Sequence, residues 1–186
     1  FCSQRPLSIE EAFQAREENM FNSRILTLVE SDLTINPKGT AITLRRRVDN
    51  SVYYDIGSSV PMITEYPVKQ NADKRGCVMM FEPPVDNVKT GMYYAGIDPV
   101  KKIKTRSSES LFSIYIMKAS FMDNDTLIPE EKIVACYTGR YDDMNITHDI
   151  ASMLLELYQA KALVENNVDA FIEYMIQMKR GYYLMR

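Results

Sequence analysis

The sequence predicts an α/β domain with a mixed sheet in the order β-β-β-α-β-α, preceded by a helical stretch and a small β-rich section. Three observations carry that expectation. Between residues 40 and 81 apolar and polar side chains alternate with period two, as half-buried strands require. After Gly91 three apolar runs of strand length follow one another with short links. Two stripes at helical spacing then flank one more short apolar run: Ile150, Met153, Leu154, Leu157 and Tyr158 before it, and Val168, Phe171, Ile172, Met175 and Ile176 after it.

Residues 1 to 38 read as a helical linker. Ser8 and Glu11 stand three apart after Pro6, the spacing of a capping box in which each side chain satisfies a free amide at a helix start. Ala12, Phe13 and Arg16 continue that helix, and after Asn22 a second pattern places Ile25, Leu28 and Val29 on one side. In the leading β-rich section, 39 to 90, the runs Ala41–Leu44 and Val52–Ile56 flank Asp49-Asn50-Ser51 and read as a hairpin. The strand Cys77–Phe81 runs into Pro83-Pro84, and the polar residues through Gly91 mark a connector. Tyr93–Ile97 closes on Asp98-Pro99, Leu111–Lys118 is the next strand and Lys132–Thr138 the third. Thr147 is positioned to cap the first long helix, and Lys161–Glu165 forms the strand after it. Gly181 stops the last helix before a short run, Tyr182–Met185, of strand composition.

Composition narrows the class of function. The chain has 186 residues, 46% hydrophobic and 25% charged, enough to build a core and too ordered for a disordered tail. Its formal net charge of -3 excludes a globally basic nucleic-acid coat but is compatible with a local basic patch. No apolar run approaches the roughly 20 residues that span a bilayer. Three cysteines, Cys2, Cys77 and Cys136, without a CxxC spacing support neither a disulfide framework nor a zinc site, so they are expected to be structural thiols in a reducing compartment. The sequence begins Phe-Cys and ends Tyr-Tyr-Leu-Met-Arg, and is expected to be a piece of a longer polypeptide.

In α/β sheets ligands bind at the carboxyl ends of strands. Asp98 ends the first strand after Gly91 and Glu165 ends the strand after the first long helix. Carboxylates brought within a few ångströms repel unless a cation lies between them, so the pair points to Mg²⁺ or Mn²⁺ held by oxygen ligands, a site suited to phosphoryl transfer. An acid after a strand equally serves as a helix N-cap or a turn residue.

The stretch Tyr94-Ala95-Gly96-Ile97-Asp98-Pro99, the polar loop to Ser110, the strand Leu111–Lys118, the helix from Thr147-His148-Asp149 to Tyr158, and Ala162-Leu163-Val164-Glu165-Asn166-Asn167 together resemble the nuclease domain of tailed-phage terminase large subunits. Upstream, Pro6-Leu7-Ser8-Ile9-Glu10-Glu11-Ala12-Phe13 is similar to the segment that leads from the ATPase domain of those proteins into the nuclease. The resemblance implies a ribonuclease H-like sheet over residues 39–186 and a metal-dependent endonuclease that cuts concatemeric double-stranded viral DNA during packaging. It implies two Mg²⁺ or Mn²⁺ ions, with Asp98 and Glu165 as catalytic, metal-binding carboxylates. It also implies a place in the cytoplasm of the infected bacterial host. Partners would be double-stranded DNA, the ATPase domain of the same polypeptide, the portal protein and the small terminase subunit, with no membrane.

The chain departs from that pattern in two ways. It contains no Walker A glycine loop, and only 21 residues follow Glu165, where the family's third metal-binding acid normally lies further on. Asp169, four residues past Glu165, is a candidate third ligand, although the opening turn of a helix also favours an acid through the dipole. Asp142 and Asp143 read as solvated turn residues, His148 as a surface or capping residue, and Arg45-Arg46-Arg47 as ordinary surface. Lys101, Lys102, Lys104 and Arg106, directly after Asp98, are the candidate DNA-phosphate contacts. Two rival functions remain: a catalytically silent docking module of the packaging motor contacting portal or capsid, and another ribonuclease H-like nuclease such as a junction resolvase. Twelve methionines and twelve tyrosines suit adaptable contact surface or core alike.

Overall fold

A computed structural model describes residues 22–36, 38–69, 71–100, 110–123, 126–165 and 169–185. The chain divides between Lys38 and Gly39 into two units. In the first, helix α1 (Ser23–Ile35) is capped by Asn22, whose side-chain oxygen accepts from the amides of Arg24 and Ile25 at 3.0 and 3.4 Å. The capping-box segment around Ser8 and Glu11 lies outside the described residues.

The second unit is mixed α/β. Its seven-stranded sheet comprises β1 (Thr40–Arg46), β2 (Val52–Ile56), β3 (Val78–Met80), β4 (Tyr93–Asp98), β5 (Phe112–Lys118), β8 (Lys132–Gly139) and β9 (Lys161–Val164). The spatial order is β2-β1-β3-β8-β5-β4-β9. Every neighbouring pair is antiparallel except β4 and β9, which run parallel. Parallel neighbours need a long crossover. The chain supplies it by leaving β8, running through helix α2 (Met144–Tyr158) and returning to place β9 beside β4. Helix α3 (Ala170–Gln177) and a 3-10 turn (Gly181–Tyr183) follow.

One face of the sheet is packed and the other largely open, a consequence of strand alternation. On the packed face Ile42, Val78, Tyr137, Ile114 and Ile97 form one row, paired strand to strand, and all are buried. Against this layer α2 buries Ala151, Leu154, Leu155 and Tyr158 completely, and α3 adds Phe171 and Met175. The buried Leu, Phe and Met side chains each stabilise the fold by about 1.5–3 kcal/mol. On the opposite face Tyr115, Met117, Ile133 and Leu163 remain exposed.

Four details differ from the sequence-based expectation. A small hairpin, β6 (Phe121–Asp123) with β7 (Thr126–Ile128), interrupts the link between β5 and β8. Helix α2 starts at Met144 because Asp143, read as a turn residue, caps it by accepting from the Asn145 amide at 3.0 Å. Thr147 lies inside the helix, fully buried, where its hydroxyl accepts from the Tyr141 amide at 2.9 Å. The C-terminal run forms the 3-10 turn and one parallel bridge, Leu184 to Ala162, instead of a strand.

Glycine is required where the segment before β3 presses on the end of β8. A Cβ on Gly139 would lie 2.0 Å from the Arg75 carbonyl oxygen, and one on Gly76 equally close to that of Thr138. The Tyr137 hydroxyl closes this junction by donating to the Arg75 carbonyl at 2.9 Å. The junction braces the end of the sheet at which β4 and β9 also terminate.

Candidate functional site

Asp98 and Glu165 are brought together at the carboxyl ends of the two parallel strands. The ladder pairs Ala95 with Ala162, Gly96 with Leu163 and Ile97 with Val164, and the Glu165 amide still donates to the Ile97 carbonyl at 2.9 Å. One step further, Asp98 stands beside Glu165, their backbones separated by the strand spacing of about 4.8 Å. Ala95 and Ile97 are buried while Gly96 and Asp98 are exposed, so both acids project from the open face. No described residue forms a salt bridge or hydrogen bond with either carboxylate.

The row continues across the sheet. Asp98 is paired with Ser113, and Ser113 with Thr138, whose hydroxyl lies 3.3 Å from that of Ser113. These two hydroxyls extend the polar edge beyond the two acids and were not singled out from sequence. The signal was there: Ser113 is the polar interruption of an otherwise apolar run, at the alternation position shared with exposed Tyr115 and Met117.

Asp169 occupies the N-cap position of α3 and is exposed, but its side chain caps nothing. Its carbonyl accepts from the Glu173 amide at 2.8 Å. Among the described residues no three of His, Cys, Asp and Glu are arranged to hold an ion. Lys101, Lys102, Lys104 and Arg106 lie outside the described residues, as do Asn166 and Asn167.

Two other residues are placed differently from the expectation. His148 is 4% exposed, packed by the rings of Phe112, Phe171 and Tyr174 at centroid distances of 6.0, 5.5 and 5.3 Å. The helix begins one turn earlier than Thr147 suggests, so His148 lies within it, on the buried face it shares with Ala151, Ser152 and Leu155. Burial pushes its pKa down to about 4, and its Nε2 has no hydrogen-bond partner. A general-base role at the exposed acid pair is therefore excluded by position. His148 lines a small cavity of about 170 Å³ with Val100, Asn145, Glu173 and Gln177.

Arg46, read as ordinary surface, joins β1 to α2. Its guanidinium donates both terminal nitrogens to Glu156, each at 2.7 Å, and one of them to Asp149 at 3.3 Å. Arg180 approaches the same acids, with Nε 2.9 Å from Glu156. Burial works to raise the Glu156 carboxyl, but the hydrogen bond and charge of Arg46, with the charge of Arg180, hold it below its ordinary value. Glu82 is held low in the same way, first by the hydrogen bond from Lys118 and then by that from Lys132.

No protein-family profile matches the chain, and no curated protein sequence matches it. No helix among the described residues is long and apolar enough to cross a membrane.

Proposed function

We propose that this chain is the metal-dependent endonuclease portion of a viral DNA-packaging terminase large subunit, with a ribonuclease H-like sheet. The observation that carries the reading is the adjacency of Asp98 and Glu165 at the ends of parallel β4 and β9, within the strand order β8-β5-β4-β9. Three antiparallel neighbours, a crossover helix and a parallel strand beside the first are compatible with a ribonuclease H-like order and support this reading. The single bridge from Ala162 to Leu184 lies where a further parallel strand would extend it.

The donor set fits a hard divalent cation. Two exposed carboxylates without a described cationic partner repel each other, and oxygen donors of this kind suit Mg²⁺ or Mn²⁺. Asp98 and Glu165 would hold the metal, with Asp169 the nearest further acid in sequence. When bound, such ions supply Lewis acidity at the scissile phosphate and lower the pKa of attacking water. The chain's part is to fix two carboxylates on the rigid ends of paired strands, open to a duplex. Lys101, Lys102, Lys104 and Arg106 would hold flanking phosphates, and replacing all four by Ala is expected to flatten the salt dependence of DNA binding.

The test is Mn²⁺-dependent nicking of supercoiled plasmid at low salt. Loss of cleavage in both Asp98→Ala and Glu165→Ala supports the reading, and cleavage unchanged in both overturns it. A second reading, a docking module of the motor contacting portal or capsid, is favoured by one observation: the apolar side chains Tyr115, Met117, Ile133 and Leu163 stand exposed on the open sheet face.

A further inference from the structure

Three sulfur side chains share one face of the sheet at β3 and β8, away from the acid pair. Cys77 and Met79 are two residues apart and so share a face, with Cys77 Sγ 3.8 Å from Met79 Sδ. Met79 is paired directly with Cys136 across the β3–β8 ladder. Met79 thus stands between two thiols, both reduced. Cys77 is buried and Cys136 half-buried, near the phenol of Tyr66.

The register discriminates among the chemistries open to two such thiols. Cys77 lies opposite Thr138, so Cys77 and Cys136 are diagonal neighbours, whose Cα atoms in an antiparallel pair are about 7–8 Å apart. A disulfide takes a Cα separation of about 4.4–6.8 Å, so direct oxidation would require the backbone to move. A bridging ion spans the longer gap. Three sulfurs around one ion at about 2.3 Å stand about 4.0 Å from one another, close to the 3.8 Å already present between Cys77 and Met79. Zinc is disfavoured, because it takes four N, O or S⁻ donors, and no third His, Cys, Asp or Glu joins the two thiols among the described residues. A thioether beside two thiols selects a soft, monovalent d¹⁰ ion.

We propose that Cys77, Met79 and Cys136 form a three-coordinate site for Cu(I). The ion enters as Cu(I), two S–H bonds break, two Cu–S thiolate bonds and one Cu–thioether bond form, and two protons leave to solvent. No oxidation state changes. The proposal is independent of the nuclease reading, since it shares no residue with the acid pair.

The experiment is anaerobic titration of the whole chain with Cu(I), supplied as its acetonitrile complex in competition with a chromophoric Cu(I) chelator. The expected result is one equivalent bound by the wild type and by Cys2→Ser. Cys77→Ser and Cys136→Ser should each weaken binding about 100-fold, and Met79→Leu about 10-fold. A readout that needs no substitution runs beside it: Cu(I) should protect Cys77 and Cys136, and not Cys2, from alkylation as followed by peptide mass spectrometry. Equal alkylation of Cys77 and Cys136 with and without Cu(I) overturns the site. Protection by Zn²⁺ as strong as that by Cu(I) overturns the assignment to a soft monovalent ion.

Discussion

Asp149 and Glu156 on α2 share their charge with Arg46 and Arg180, whereas Asp98 and Glu165 at the ends of β4 and β9 meet no cation among the described residues. Both pairs belong to the same sheet unit, and both put two carboxylates close together. In the first pair, Arg46 and Arg180 are each mostly buried, and their nitrogens satisfy the acid oxygens at hydrogen-bond distance. That arrangement is complete as it stands and ties β1 to α2 and the C-terminal segment. In the second pair, exposed acids are held side by side by backbone pairing with nothing described to offset their repulsion. Acids of the first kind maintain the fold. Acids of the second kind are arranged at a cost in stability, as expected where a ligand completes them.

Removing Glu156 should have the largest effect on stability, because it strands two mostly buried guanidinium groups. Glu156→Ala is expected to lower the unfolding free energy by about 3 kcal/mol, read from the urea midpoint at unchanged slope. A loss below about 1 kcal/mol would mean that the arginines find water instead, and the contrast between the two acid pairs would weaken.

His148 gives the next effect and an acid-side signature. Its pKa is depressed to about 4 in the folded chain, below the ordinary value of 6.5. Between those values the unfolded chain takes up a proton that the folded chain refuses, so stability falls as pH drops from about 6.5 to about 4. The expected loss, reduced for residual solvation, is about 2 kcal/mol, and His148→Leu should flatten the curve across this window. An unaltered slope in His148→Leu would assign the acid sensitivity to the carboxylates.

The smallest effect belongs to a pair that looks strong by distance. Arg45 Nε lies 2.6 Å from Asp55, but both side chains are more than half exposed. Asp55→Asn is expected to change stability by no more than about 0.5 kcal/mol by thermal or urea unfolding. This marks the lower end of the scale on which the Arg46 cluster is judged.

Strand periodicity and the first helical stripe were legible because they report burial on one face, as in the packed row Ile42, Val78, Tyr137, Ile114 and Ile97; of the second stripe Phe171 and Met175 are buried while Ile176 is exposed. The placement of Asp98 and Glu165 at strand ends was legible for the same reason, since apolar runs stop where strands leave the core. His148 and Arg46 were misread because their environment is set by other parts of the chain. The α2 cap lies at Asp143, four residues before Thr147, so His148 falls inside the helix on its buried face, and the partners of Arg46 lie more than 100 residues away. The β6–β7 hairpin was missed because runs of three residues are too short to show a period. Alternation places Ser113 on the exposed face, but cross-strand register is what shows that Ser113 and Thr138 continue the acid row.

The most direct test of the contrast is thermal unfolding of the wild type, Asp98→Asn and Glu156→Gln with and without millimolar Mn²⁺. Without metal, Asp98→Asn should melt at or above the wild type, because one repelling charge is gone, while Glu156→Gln should melt below it. With Mn²⁺ the wild type and Glu156→Gln should both gain stability in proportion to RT ln(1 + [Mn²⁺]/Kd), and Asp98→Asn should gain little. An equal Mn²⁺ gain in all three, or a marked drop in Asp98→Asn without metal, would contradict the account by making Asp98 a structural acid.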